Sequence, residues 1–404
     1  MFQKLFKYTL IALFLSNFSH AQHLSENEII TGAQQAEMYL PLLKNSRVGV
    51  VTNQTGVVAF QPTNETRTNT TYKSIVDFLL ENKIEVKKIF SPEHGFRGDA
   101  DAGATVKSGK DTKTGLPIVS LYGKNKKPSQ EQYADLDVIL FDIQDVGARF
   151  YTYISTLHYV MEAAAENGKK VIVLDRPNPN GHYIDGPVLD PKFKSFVGMH
   201  PVPVVYGMTI GEYAQMINGE KWLANQVQCD LTVISLKNYD HSMRYSLPIL
   251  PSPNLPNDQS INLYPSTCFF EAFNGSEGRG TDKPFQIYGS PYLKNMPYQF
   301  TPQSNAAASN PRFKGEVCYG EDLSKEAFLS EINLNWLINA HQNYTGKDPF
   351  WIKQSGKYWI DILAGTDELR KQIDQGMTQE NIKGTWQNDL AQFKKIRAKY
   401  LLYH

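Results

Sequence analysis

The octapeptide SPEHGFRG, residues 91–98, brings Glu93, His94 and Arg97 within five positions directly after the run Ile84–Phe90. Pro92 restricts the backbone before the glutamate and Gly95 permits a sharp turn after it, so this loop is expected to project a carboxyl group over a strand's end. A glutamic acid partly desolvated there would hold its proton more tightly and could act as a general acid. His94 has no partner at metal-ligand spacing, and beside Glu93 it reads as a hydrogen-bonding orienter. A second stretch, FEAFNGSEGRGT (270–281), supplies Glu271, Glu277 and Arg279 among glycines. Arg279, flanked by Gly278 and Gly280, reads as an exposed side chain able to meet a carboxylate through two hydrogen bonds, although GSEGRG could equally be a mobile surface loop. A third stretch, DVGARFYTYIS, carries Arg149, Tyr151 and Tyr153. The two tyrosines share a face only if the segment is extended, and core packing is an equal reading for both.

These residues need elements to place them. Apolar strand-like runs at 47–53, 84–90, 117–122, 136–145 and 169–179 alternate with helical patterns at 72–83 and 155–168. Strand and helix in alternation predict an α/β fold with a doubly wound parallel sheet. Four of the strands turn polar where they end, as VVTNQTG, IFSPEHG, LFDIQDVGAR and VLDRPNPNG. Ligands of open α/β sheets sit outside the carboxyl ends of the strands. Asn53, Glu93, Asp142, Gln144, Asp145, Arg149, Asp175, Arg176 and Asn178 therefore describe one shared cleft, although Asp and Asn in such places also cap helices and fill turns. After about residue 190 the texture changes, and residues 191–404 read as a second α/β domain with a helical tail from Leu323, against a first domain of 22–190.

Composition narrows the function. The 41 Lys and Arg balance the 41 Asp and Glu, with no basic stripe interleaved with aromatics, so a nucleic-acid partner is not expected. The 22 Tyr and 21 Phe suit both a core and sugar binding. No GxGxxG follows the first strand, which disfavours a dinucleotide or P-loop enzyme. Nor is there an HxH, an HExxH or a GxSxG, so neither a metal, another cofactor nor a serine nucleophile is expected. Cys229, Cys268 and Cys318 allow one disulfide at most and read as buried small side chains. Lys4 and Lys7, the apolar run Tyr8–Phe18 and Ser19-His20-Ala21 form a secretory signal pattern over 1–21 with cleavage after Ala21, implying an exported, periplasmic or secreted protein. Gln22 rather than Cys follows, against a lipoprotein anchor, and no later segment is apolar enough to span a membrane.

Six motifs in order, SPEHGFRG, FDIQDVGARFYTY, DRPNPNG…DGPVLD, GMTIGEYA, PSPNLP and FEAFNGSEGRGTDKPF…GSP, resemble the bacterial exo-β-N-acetylmuramidase family, long known only as a domain of unknown function. The resemblance runs from about residue 30 to the C-terminus. It implies a Rossmann-like N-terminal domain, a smaller α/β C-terminal domain and an active cleft between them. It also implies release of terminal non-reducing N-acetylmuramic acid from peptidoglycan fragments, and a catalytic role for Glu93. The lactyl carboxylate of that sugar calls for a local cation, for which Arg149 and Arg279 are candidates. Hydrolysis needs an acid for the leaving oxygen and a second group at the anomeric carbon. Glu271 is the first candidate for the latter, ahead of Asp142 or Asp145, with a tyrosine nucleophile (Tyr151 or Tyr153) and participation of the substrate's own acetamide as alternative routes. His94, Arg97, Gln144, Asp175, Arg176, Asn178 and Glu277 complete the expected binding set. A non-catalytic sugar-binding protein using the same cleft is the competing reading.

Overall fold

The computed structural model describes residues 28–60, 70–93, 95–97 and 108–403. The expected leader and His94 lie outside them. Seven strands form the main sheet: β1 (Arg47–Thr52), β2 (Glu85–Ser91), β3 (Gly109–Lys110), β4 (Pro117–Ser120), β5 (Val138–Asp142), β6 (Lys170–Leu174) and β7 (Asp230–Ile234). Their spatial order is β3-β4-β2-β1-β5-β6-β7, all parallel except β3, which runs antiparallel to β4. The chain moves outward from β1 through β2 to β4, returns to lay β5 on the other side of β1, and moves outward again. This is the doubly wound arrangement, with its switch in strand order between β1 and β5.

Both faces of the sheet are covered, which is why the central strands are apolar at every position rather than at alternate ones. Val48 and Val50 of β1, Val138 and Leu140 of β5 and Ile172 and Leu174 of β6 pack into one core. Their neighbours Val51, Ile139, Phe141, Val171 and Val173 point into the other. The helix α1 (Tyr153–Glu166) leaves the sheet just beyond β5 and buries most of its length against the second face.

The sheet does not stop at the boundary near 190 expected from texture. Its seventh strand, β7, pairs in register with β6 from Lys170↔Asp230 to Leu174↔Ile234. Helix α2 (Ile210–Gly219), started by a capping box between Thr209 and Glu212, joins the two strands as a crossover. The second part begins with α3 (Asp258–Thr267). It contains a small antiparallel sheet of β8 (Ile287–Ser290), β9 (Tyr298–Phe300) and β10 (Cys318–Asp322), in the order β8-β10-β9. Short helices follow, among them α4 (Trp359–Ala364), α5 (Gln379–Gly384) and α6 (Gln387–Arg397). Cys229, Cys268 and Cys318 are buried and free. No helix among the described residues is long and apolar enough to cross a membrane.

Candidate active site

Strand register explains how the first wall of the site forms. Ser91 ends β2 and Ser120 ends β4, and the two are paired. Glu93 and Tyr122 each lie two residues further on, so they emerge side by side, and the Tyr122 hydroxyl donates to Glu93 Oε1 at 3.1 Å. Thr52 and Asp142 are likewise paired at the ends of β1 and β5. Asn53, one residue past β1, donates from Nδ2 to the Tyr153 hydroxyl at 2.7 Å and accepts from Thr55 through Oδ1. Tyr153 is the first residue of α1, and its ring stands perpendicular to that of Tyr151, centroids 4.9 Å apart. Glu93, Tyr122, Tyr151 and Tyr153 line one cavity of about 1010 Å³. It matches the upper end of the roughly 300–1,000 Å³ usual for small-molecule sites.

The opposite wall belongs to the second part of the chain. Helix α3 runs on into a tight turn, Cys268–Ala272, that carries Glu271 to the cavity. Arg279 Nη2 lies 2.8 Å from Glu271 Oε1, and Nη1 lies 2.5 Å from Glu277 Oε1. Arg312 closes the group, meeting Glu277 Oε2 at 3.1 Å and the Phe273 carbonyl at 2.7 Å. Gly278 and Gly280, at φ 87° and 81°, bend the chain on either side of Arg279 as only glycine does readily. The GSEGRG segment is therefore built into the wall and is not a mobile loop. Burial pushes the Glu277 carboxyl up, but Arg279 and Arg312 outweigh it and hold the group below its usual range. The Tyr122 hydroxyl is raised first by burial, then by the charge of Glu93 and, less strongly, by that of Glu271. One phenol thus feels both carboxylates, and Glu93 and Glu271 face the same space from the two parts of the chain.

The remaining strand-end candidates are buried away from this space. Arg149 has no exposed surface and donates to four carbonyls, those of Pro187, Val202, Leu363 and Ala364, at 2.6–3.0 Å. It cannot reach a substrate carboxylate, which corrects the expectation drawn from its position. Arg176 and Asp142 form a buried pair at 2.6 and 2.9 Å, so Asp142 is not available to the anomeric carbon. Asp175 accepts from Thr209, the Gly211 amide and Tyr403. Asn178 donates to Met208 and accepts from the Asn180 amide, while Gln144 donates to the carbonyls of Asp145 and Pro177. Asp145 accepts from the Gly147 amide and from Tyr206. Gly147 has φ 78°, and a Cβ there would meet Asn178 Oδ1 at 2.1 Å, so this turn tolerates no larger residue. These side chains tie strand exits to one another, which is the turn-filling alternative open to Asp and Asn. Arg97 binds Asp111 through two 2.8 Å contacts and holds the loop after β2 to the edge strand β3, outside the cavity wall. The guanidinium keeps the Asp111 carboxyl down at about 2.

Sequence reasoning missed several lining residues. Tyr122 and Lys126 follow β4, whose polar exit LYGKNKK is not among the four strand ends of the expected cleft, Asn254 lies in PSPNLP without being singled out there, and Tyr264, Arg312 and Trp359 carry no motif signature of their own. For Tyr122 the signal was the pairing of β2 with β4, which puts the residue two past Ser120 beside the residue two past Ser91.

Comparison with known proteins finds relatives over nearly the whole chain. The family model for the N-terminal region of exo-β-N-acetylmuramidase NamZ matches residues 48–259, and that for the C-terminal region matches residues 262–403. The chain is 42% identical over 386 residues to the peptidoglycan β-N-acetylmuramidase NamZ of Bacillus subtilis strain 168, covering 90% of this chain and 89% of that protein. A crystal structure of a DUF1343 family protein from Bacteroides fragilis NCTC 9343 superimposes with a TM-score of 0.83 at 45% identity, covering 93% of this chain and 99% of the other. A second DUF1343 family structure from the same organism gives 0.74 at 30% identity over 94% and 100% of the two chains.

Proposed function

The chain belongs to the exo-β-N-acetylmuramidase NamZ family, and from that membership we propose that it is an exo-acting glycosidase releasing terminal non-reducing β-1,4-linked N-acetylmuramic acid from peptidoglycan fragments. The observation that carries the reading is the meeting of Glu93 and Glu271 in one sugar-sized cavity, each from a different part of the chain. Glycoside hydrolysis uses two carboxyl groups flanking the scissile bond. Glu93, steadied by the Tyr122 hydroxyl, protonates the leaving oxygen. Glu271, oriented by Arg279, acts at the anomeric carbon. Tyr151 and Tyr153 serve better as walls than as nucleophiles. Tyr151 spends its hydroxyl on the Pro251 carbonyl at 2.7 Å, and burial raises both phenols, with the Glu93 charge adding to the rise at Tyr153.

The Glu93→Gln variant tests this. It should lower kcat on a chromogenic β-N-acetylmuramide by roughly 10²–10⁴-fold, while the melting temperature moves by no more than about 2 °C. A protein that binds the sugar yet never cleaves the glycoside would instead be the non-catalytic binder. Export to the periplasm or medium is part of the proposal. It is supported by the pattern of Lys4, Lys7, the apolar run 8–18 and Ser19-His20-Ala21.

A further inference from the structure

Among the described residues, three cationic side chains line the cavity: Lys126, Arg279 and Arg312. Both arginines are committed. Arg279 spends its terminal nitrogens on Glu271 and Glu277, and Arg312 spends its own on Glu277 and on backbone carbonyls. Lys126 differs. Among the described residues it has no carboxylate within ion-pair distance, and its ammonium rests over the Phe196 ring, 4.3 Å from the centroid. Its neighbour Lys127 is neutralised by Glu162 and Glu166, both at 2.7 Å, and points away from the cavity. A cation held by a ring face keeps its N–H donors for another acceptor. Ser195, on the same wall as Phe196, has a hydroxyl without a hydrogen-bond partner among the described residues.

We propose that Lys126 reads the lactyl carboxylate, the group that separates N-acetylmuramic acid from N-acetylglucosamine, and this rests on the function proposed above. The position suits the task because Lys126 belongs to the first part of the chain and stands outside the Glu271–Arg279–Glu277–Arg312 group, where a third carboxylate would meet cations already neutralised. Arg279 is thereby released from substrate recognition and becomes the residue that positions Glu271. A partly exposed ammonium meeting a carboxylate discriminates by charge and hydrogen bonding, and salt weakens it.

The test is a two-by-two comparison on the full chain. A chromogenic β-N-acetylmuramide and its lactyl methyl ester are each hydrolysed by the wild type and by Lys126→Gln. A charge-assisted hydrogen bond predicts that the substitution raises KM for the acid by at least about tenfold. The kcat should stay within about threefold, because the bond is made equally in the ground and transition states. The ester should show the raised KM already with the wild type and no further rise with the variant, and Lys126→Arg should restore most of the loss. The wild-type preference for acid over ester is independent of how well any variant folds. Turnover of both substrates with equal KM by the wild type, or an unchanged KM for the acid in Lys126→Gln, overturns the role of Lys126 and leaves the muramidase reading standing. No turnover of either substrate by the wild type removes that reading, and this one with it.

Discussion

Arg279 shows how far a side chain's partners redefine its work. Flanked by glycines, it reads as an exposed fork waiting for a substrate carboxylate, yet Glu271 and Glu277 already fill the fork. Arg279→Ala is therefore expected to act through Glu271. The kcat should fall by roughly 10²-fold or more for every substrate the protein cleaves, as expected when an oriented catalytic group is set loose. KM for the acid and ester forms of the sugar should keep the same ratio. Steady-state kinetics on both forms check this, and a selective rise in KM for the acid would return Arg279 to recognition. Glu93 was legible in sequence because Pro92 and Gly95 bracket it. Tyr122 was not, since a tyrosine at the end of an apolar run carries no mark of its own and gains meaning only from the strand beside it.

At the scale of elements, the exits of β2 and β4 and the start of α1 line the cavity, Asn53 beyond β1 reaches it only through Tyr153, and the exit of β6 turns inward. There Asp175 and Asn178 face inward because Thr209, Gly211, Met208 and Tyr403 come from later elements to bind them, while Arg176 is taken up by Asp142 and the Val57 carbonyl from earlier ones. A single sequence does not reveal such partners, so an inward carboxylate and a functional one look alike. The boundary expected near 190 missed β7 for a related reason, as the crossover helix between β6 and β7 lies beyond a long irregular stretch. The turn after β5 makes a measurable prediction. Burial lifts the Asp145 carboxyl from its ordinary 3.8 to about 6, against the opposing hydrogen bonds from Tyr206 and Gly147. A folded-state pKa above the unfolded one means a contribution fully present below pH 3.8 and lost as pH rises through 6. Asp145→Asn removes that loss. Its stability relative to the wild type should therefore climb by about 2 kcal/mol between pH 4 and 6.5. Urea midpoints of both proteins at the two pH values measure it, and parallel pH profiles would contradict it. His158, whose pKa burial lowers to about 4, slopes the other way in this window in both proteins, so the difference between them isolates Asp145.

At the scale of the whole molecule, the second part is tied back to the sheet at widely separated places. Tyr403 reaches Asp175, Arg397 donates to the Gly207 carbonyl, and Lys383 of α5 meets Asp185 at 2.8 Å. Arg149 is the most demanding of these ties, because its four carbonyl acceptors come from the loops after β6 and from α4, whose Trp359, Ile362 and Leu363 line the cavity. Arg149→Ala should leave those carbonyls without a donor in a dry site, costing on the order of 4 kcal/mol and lowering the melting temperature by roughly 5 °C. Thermal unfolding followed by circular dichroism reads this directly. Arg149→Lys should recover little, since a point charge cannot serve four acceptors arranged around a plane. Retained stability in Arg149→Ala would show the two parts to be joined by other means.

The guanidinium beneath α4 has a consequence for how substrates are sorted. It fastens α4, one bank of the hollow, to the loops after β6, so swinging that bank aside for a bulky guest would strip buried carbonyls of their donor. The dimensions that an incoming sugar meets are settled when the polypeptide folds. Selection among glycans then falls to the fit of a rigid mould and to the few charges set into it.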